Sequence, residues 1–471
     1  MTKPLVLRPD RLFPPDPNTR SVARRLYEHI QGLPIVSPHG HTDAQWFADD
    51  VSFSDPASLL ITPDHYLLRM LYSLGVPLER LGVPRSDGAS VETDPRQIWN
   101  AFAGYYHVFR GTPSRLWLDW AFANIFGIDV QLGPDTAERY YDVIQSRLRD
   151  AGFRARALFA RFGIEVLATT DSPLDDLRYH RALRESTWTG RVIPTFRPDS
   201  VVDPQHESFV NNLIDLSKLT GRDAFDYAHY LEALRARRAF FISLGATATD
   251  HGHPSAATAD LSIREAEELF RRVTTGAGNG ADAEWFRAHM LTVMAGMSLD
   301  DGLVMQIHPG SWRNHNPALF AQFGRDKGAD IPQLTNYVAA LKPLLDRYGN
   351  ECSLTIIVFT LDESTYAREL APLAGHYPAL KLGPPWWFHD SPEGMRRFRE
   401  RATETAGFYN TVGFNDDTRA LLSIPARHDA ARRIDCGFLA RLVTEHQLEE
   451  TDAADIAVEL TYRLVKQAYR L

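Results

Sequence analysis

Short apolar runs rich in β-branched residues alternate along this chain with longer stretches whose apolar positions return every three or four residues. The first run is Leu33-Pro34-Ile35-Val36, leading into Ser37-Pro38-His39-Gly40-His41-Thr42-Asp43. Further runs lie at 165–171, 191–199, 240–245, 302–308, 354–359, 379–383 and 409–414. Between them, Leu334, Tyr337, Leu341, Leu344 and Leu345 recur at helical spacing, and Ala266, Leu269 and Phe270 form a stripe within 263–273. Strands alternating with helices imply a parallel sheet. Eight such runs favour an α/β fold closed as a (β/α)8 TIM barrel over an open sheet.

Roughly 120 residues separate the first run from the second, far more than a βα connection needs. This stretch is aromatic and helical in pattern, with Trp99, Phe102, Tyr105, Tyr106, Trp117, Trp120 and Phe122. The expected organisation is an N-terminal helical segment (1–30), a barrel with C-terminal helices (31–43 plus 160–471), and an inserted helical subdomain (44–159) capping the site. In the tail, Leu439, Leu442 and Val443, then Ile456, Leu460 and Leu464, predict one or two helices after Phe438.

Composition narrows the function classes. A net charge of −9, from 51 basic and 60 acidic residues, offers no basic face for nucleic acid or an anionic membrane. Two cysteines, Cys352 and Cys436, exclude a disulfide framework and suit a reducing compartment. No apolar stretch approaches the ~18 residues of a membrane span, and the N-terminus has no signal-peptide core. A cytoplasmic protein is expected, acting on a small molecule, with association through the outer helices into a homo-oligomer.

The candidate chemistry collects at run ends. Residues two apart on a strand point the same way, so His39 and His41 converge at the carboxyl end of the first run. His308 ends another run before Gly310, and Asp417 and Arg419 follow the last one. In a barrel the eighth strand lies beside the first, which brings Asp417 in front of the two histidines. Three imidazoles and a carboxylate suit one divalent metal, zinc first among candidates, with His39, His41, His308 and Asp417 as ligands. Arg197 and Arg313 carry planar forks suited to a carboxylate. Trp386-Trp387-Phe388 offers an aromatic wall for a sugar face or packing for the rim. His251 and His253 form a rival metal pair, ranked second because flanking Gly252 and Pro254 suggest a loop. There is no G-x-G-x-x-G after a strand, no P-loop and no G-x-S-x-G elbow, so no nucleotide cofactor and no serine hydrolysis are expected.

Taken together, His39-Gly40-His41, Asp64-His65-Tyr66 with Arg69, Thr169-Thr170-Asp171, Pro194-Thr195-Phe196-Arg197-Pro198-Asp199, Met305-Gln306-Ile307-His308, Arg313-Asn314, Trp386-Trp387-Phe388 and Asp417-Thr418-Arg419 resemble uronate (glucuronate) isomerase, of the amidohydrolase superfamily. The resemblance runs from residue 39 to 419 in order and includes the long insertion. It implies an amidohydrolase-type barrel that interconverts D-glucuronate and D-fructuronate, and D-galacturonate and D-tagaturonate, through an enediol. It also implies catalytic roles for His39, His41, Tyr66, Asp417 and Arg419. Arg197, His308, Arg313, Trp386 and Trp387 are then expected to line the substrate. Asp417 is the expected proton shuttle, its carboxylate held near neutral pH. Many relatives carry serine where Thr418 stands here, a change that keeps the hydroxyl. The sixth run ends in Phe359-Thr360-Leu361-Asp362 without the histidine that hydrolytic superfamily members generally carry there. That absence puts a two-metal centre in doubt and leaves the need for any metal open. A metal-dependent hydrolase or decarboxylase acting on a small anion is the alternative reading. A non-catalytic sugar-acid binder is a third.

Overall fold

The computed structural model describes residues 3–471. Seven short parallel strands carry the fold: β1 (Ile35–Ser37), β2 (Ile164–Ala168), β3 (Arg191–Ile193), β4 (Ala248–His251), β5 (Val304–Ile307), β6 (Ile356–Val358) and β7 (Leu380–Leu382). β1, β2 and β3 pair in sequence order, as do β4, β5, β6 and β7. Parallel bridges from Phe196 to Asp171 and to Thr249 join the two groups. The eighth run forms no strand of its own and contributes one parallel bridge, Leu382 to Thr411.

Alternation sorts the side chains. Val36, Val166, Ile193, Ala248, Val304, Ile357 and Val412 share one buried cluster that receives Val465 and Tyr469 from the C-terminal helices. The residues between them, such as Met305, Ile307, Ile356 and Val358, face the surrounding helices instead. Near-continuous burial on both faces is what a helix-covered parallel sheet requires.

Helices start where the local chemistry says they should. Asp16 caps α1 (Pro17–Ile30), with Pro17 at its first position. Asp64 accepts the Tyr66 and Leu67 N–H groups at the start of α2 (His65–Ser73). Thr112 caps α3 (Pro113–Asn124). α2 and α3 belong to the helices between β1 and β2, whose side chains fill a cluster built around Trp99, Phe102, Tyr106 and Phe122. Among the described residues, no helix is long and apolar enough to cross a membrane.

Beyond the eighth run, the sequence reading needs correction at three further elements. The run at 240–245 is not a strand: Phe240, Phe241 and Ile242 end α4 (Tyr227–Ser243). The strand that follows, Ala248-Thr249-Asp250-His251, is polar by composition yet wholly buried. Its polar groups are tolerated because partners meet them: Asp250 binds His308, and Thr249 binds His251. The stripe at 334–345 splits into two short helices, Tyr337–Ala340 and Lys342–Tyr348, which leaves Leu334 exposed. The tail helix begins well before Phe438, as α5 (Ile424–Thr444).

Candidate active site

A cavity of about 850 Å³ lies at the carboxyl ends of the strands. All ten residues singled out from the sequence line it: His39, His41, Tyr66, Arg197, His308, Arg313, Trp386, Trp387, Asp417 and Arg419. β1 stops at Ser37, and the chain beyond it is held by its neighbours. The His41 N–H donates to Thr418 O at 3.0 Å, and the Thr170 hydroxyl donates to Gly40 O at 2.9 Å. The first and last segments are thereby tied edge to edge.

The imidazoles cluster tightly. His39 stacks on His308 with ring centroids 4.6 Å apart and meets His41 edge-on at 5.3 Å. His39 Nε2 and His41 Nε2 lie 3.3 and 3.1 Å from Asp417 Oδ1, which makes no well-aligned hydrogen bond to either ring. His39 Nδ1 and His308 Nε2 are likewise buried without partners. His308 Nδ1 instead meets Asp250 Oδ1 at 2.7 Å.

Two overlapping sets therefore have their ligand atoms within 4.8 Å of one another: His39, His41 and Asp417, and His39, Asp250 and His308. Lone pairs that converge without hydrogen bonding fit a divalent cation, which replaces several donors at once. Asp250 was missed from the sequence because its strand reads as polar. His251 and His253 do not join these sets. His251 sits on β4 rather than in the expected loop, and both are buried.

Electrostatics revises the expectation for Asp417. Burial favours its neutral form, but His39 and His41 outweigh burial and hold the carboxyl well below the usual range. It stays ionised at neutral pH. The carboxyl pushed up to about 7, by burial, is Asp171 across the cavity. Burial also raises the Tyr66 hydroxyl, which remains a neutral donor, and lowers His65 to about 3 with help from Arg419.

The guanidiniums are spoken for. Arg197 is gripped by Asp199 Oδ2 at 2.8 Å and Asp250 Oδ2 at 3.1 Å. Arg313 binds Asp330 at 3.0 Å and lies 5.2 Å from the Trp387 ring centroid. Arg419 pairs with Asp326 at 3.1 Å, not with Asp417. Arg427 was absent from the sequence reading. It is buried at the start of α5, paired with Asp390 and stacked 3.6 Å over Trp117.

Backbone strain gathers in the same place. Asn314, Asp326, Trp387 and Asp417 all line the cavity with positive φ, at 52°, 62°, 51° and 39°. Such conformations cost about 1–3 kcal/mol each and persist where surrounding structure over-determines them.

Parallel strands, a cavity at their carboxyl ends and a histidine–carboxylate cluster define an α/β protein with an enzyme-type, metal-competent pocket. Comparison with known proteins narrows that class. The glucuronate isomerase family matches residues 18–469, and the chain belongs to that family. It is 66% identical to a uronate isomerase of Sphingopyxis alaskensis over the whole of both chains. The crystal structure of glucuronate isomerase from Caulobacter crescentus is 58% identical, with a TM-score of 0.98 over 99% of this chain and 98% of that one. Uronate isomerase from Thermotoga maritima is 25% identical, with a TM-score of 0.91 over 98% and 99%.

Proposed function

We propose that this chain interconverts aldose and ketose forms of hexuronates: D-glucuronate with D-fructuronate, and D-galacturonate with D-tagaturonate. One observation carries the reading. In a chain matched nearly end to end by glucuronate isomerases, an ionised carboxylate, Asp417, meets two imidazoles in a cavity sized for a sugar. The end of β6 supports an isomerase over a hydrolase: Phe359 stands there, stacked 3.9 Å from the His308 ring, in place of a further imidazole.

Isomerisation moves a proton from C2 to C1 through an enediol. Asp417 takes the C2 proton and delivers it to C1, so one carboxylate serves both half-reactions. Tyr66, neutral at working pH, donates to the oxygen that gains charge and relays the proton that leaves O2 to O1, while Arg419 stabilises the enediolate. Arg197 orients the sugar acid, and Trp386 and Trp387 cover its apolar face. His39, His41 and Asp417, with Asp250 and His308 beside them, are the residues that would hold one divalent cation, zinc first. The cation's contribution when bound is Lewis acidity that draws charge toward the carbonyl group. We further read the parallel array as a closed (β/α)8 barrel. The shared interior cluster and the His41–Thr418 bond support closure. Residues 44–159 are read as an inserted helical subdomain that delivers Tyr66 to the pocket.

Proton NMR of D-glucuronate in deuterated water tests the activity. Exchange of the C2 hydrogen and appearance of the ketose are expected, whereas an unchanged spectrum rejects the reading. Exhaustive chelation is expected to slow that exchange more than tenfold, with recovery on adding zinc or manganese. Full activity after chelation removes the cation from the chemistry.

Gly252 gives a separate test of Arg197. Its N–H donates to both Asp199 oxygens at 3.1 Å. A Cβ there would overlap Arg197 Nη2 and lie 2.8 Å from Asp199 Oδ2. Gly252→Ala is therefore expected to displace Arg197 and lower kcat/KM by about 10- to 100-fold, with an unchanged circular dichroism spectrum. Wild-type kinetics in that variant would release Arg197 from its role.

A further inference from the structure

Five guanidiniums face the cavity, and each has an internal carboxylate partner, but the partners differ in kind. Asp199 and Asp250 hold Arg197 from below, and Asp390 holds Arg427 in the buried interior. Asp330 is buried and binds both Arg313 and the Asn314 N–H, at 3.0 and 2.7 Å. Arg325 reaches Glu207 at 3.2 Å on the surface. Among the described residues Arg419 has only Asp326, with side chains 37% and 47% exposed.

Asp326 belongs to the segment joining two short strands, Ser311–Trp312 and Ile331–Pro332, that pair antiparallel at the rim. Four residues of this segment have positive φ: Asn314 at 52°, Gly324 at 76°, Asp326 at 62° and Gly328 at 82°. Gly328 is packed against α2, where a Cβ would sit 2.7 Å from Arg69 Cβ and 2.8 Å from His65 O. That close approach seats the segment on the helix that carries Tyr66. From there the Asp326 carboxylate also lies within the electrostatic reach of Arg313, His65 and Arg197. An anionic sugar entering the cavity needs the region of positive potential that this carboxylate already fills.

We propose that Asp326 is a built-in competitor for Arg419: its carboxylate occupies the guanidinium in the ligand-free protein and yields to an incoming sugar acid. Asp326 thereby sets how strongly the site prefers anionic over neutral sugars. The proposal rests on the reading above only in taking a sugar acid as the ligand. The exchange conserves charge pairing. Arg419 trades one carboxylate for another anion, and the half-exposed Asp326 passes into water, where hydration compensates it. Apparent affinity is reduced by the fraction of molecules in which Arg419 is occupied, so removing the competitor tightens binding.

D-Glucarate, a sugar dianion that has no carbonyl to isomerise, and neutral D-glucitol are suitable calorimetric probes on the full chain. Asp326→Asn is expected to tighten glucarate about three- to tenfold and leave glucitol unchanged. In the wild-type protein, saturating glucarate is expected to speed amide exchange across 324–330, because the Asp326–Arg419 contact that also restrains the segment is lost. Gly328→Ala, which pushes the segment off α2, is expected to change glucarate affinity in the same direction, and so guards against a folding defect in the first variant. Unchanged or weaker glucarate binding in Asp326→Asn, or slower exchange across 324–330 on binding, overturns the proposal. Tightening of glucarate in a protein that never exchanges the C2 hydrogen of glucuronate would refute the isomerase reading and leave this one standing.

Discussion

Replacing Asp417 by asparagine is expected to lower kcat by about a thousandfold or more, within the 10²–10⁴ that a positioned base contributes plus the loss of a charge partner. The amide is nearly isosteric but cannot accept a proton from carbon. Two imidazoles stand 3.1 and 3.3 Å from Asp417 Oδ1, and they keep the native carboxylate ionised against the cost of burial. The price of that ionisation is weak basicity, so the catalytic gain must come from position and from stabilising the enediolate rather than from a matched pKa. Solvent-deuterium exchange at C2 separates these contributions. Exchange that persists at the wild-type rate in Asp417→Asn would pass the base role to another group, and Asp171, pushed up to about 7, is the nearest alternative in kind. Metal content measured on the same variant shows whether the carboxylate also holds the cation.

The largest expected effect on stability is at Arg427. Its guanidinium pairs with Asp390, donates to Asp416 O at 3.1 Å, lies 3.6 Å over Trp117 and 5.6 Å from the Tyr66 ring. Arg427→Ala leaves a buried carboxyl without its cation and removes the platform beneath two cavity aromatics. Breaking one side of a buried pair typically costs about 3–5 kcal/mol, and loss in that range is expected in denaturant unfolding, together with reduced kcat/KM as Tyr66 loosens. The pH dependence has a definite sign. Burial pushes the Asp390 carboxyl up to about 7, even with Arg427 opposing it. Below that value Asp390 is protonated and loses little when its partner goes, so the destabilisation is smaller at pH 5 than at pH 8. A loss below about 1 kcal/mol at pH 8 would show that the pair's attraction only offsets its desolvation.

The site residues were legible because they follow apolar runs, and strand ends are where a parallel array presents polar groups. His39, His41, Arg197 and His308 were found that way. Asp250 was not, because Thr249-Asp250-His251 reads as a polar loop, and only its partners across the array make it a buried strand. The neighbouring Phe240-Phe241-Ile242 run looked like the strand instead. Both a helix and a strand can bury such a triplet, and periodicity cannot choose between them over so short a span. Arg427 gave no signal, lying in a helix whose burial on all sides comes from its neighbours.

By itself, the chain's pattern determined a parallel α/β architecture with a long helical stretch between its first two strands, and which imidazoles follow β1 and β5. Those features are local, because hydrophobic period and strand alternation act over a few residues. Only the tertiary structure decided which carboxylate answers which cation, Asp326 for Arg419, Asp250 for Arg197 and Asp390 for Arg427, and that Asp250 also orients the His308 ring. Ion pairing and burial depend on distance in space between segments far apart in sequence, and so does the protonation state of every acid in the cavity.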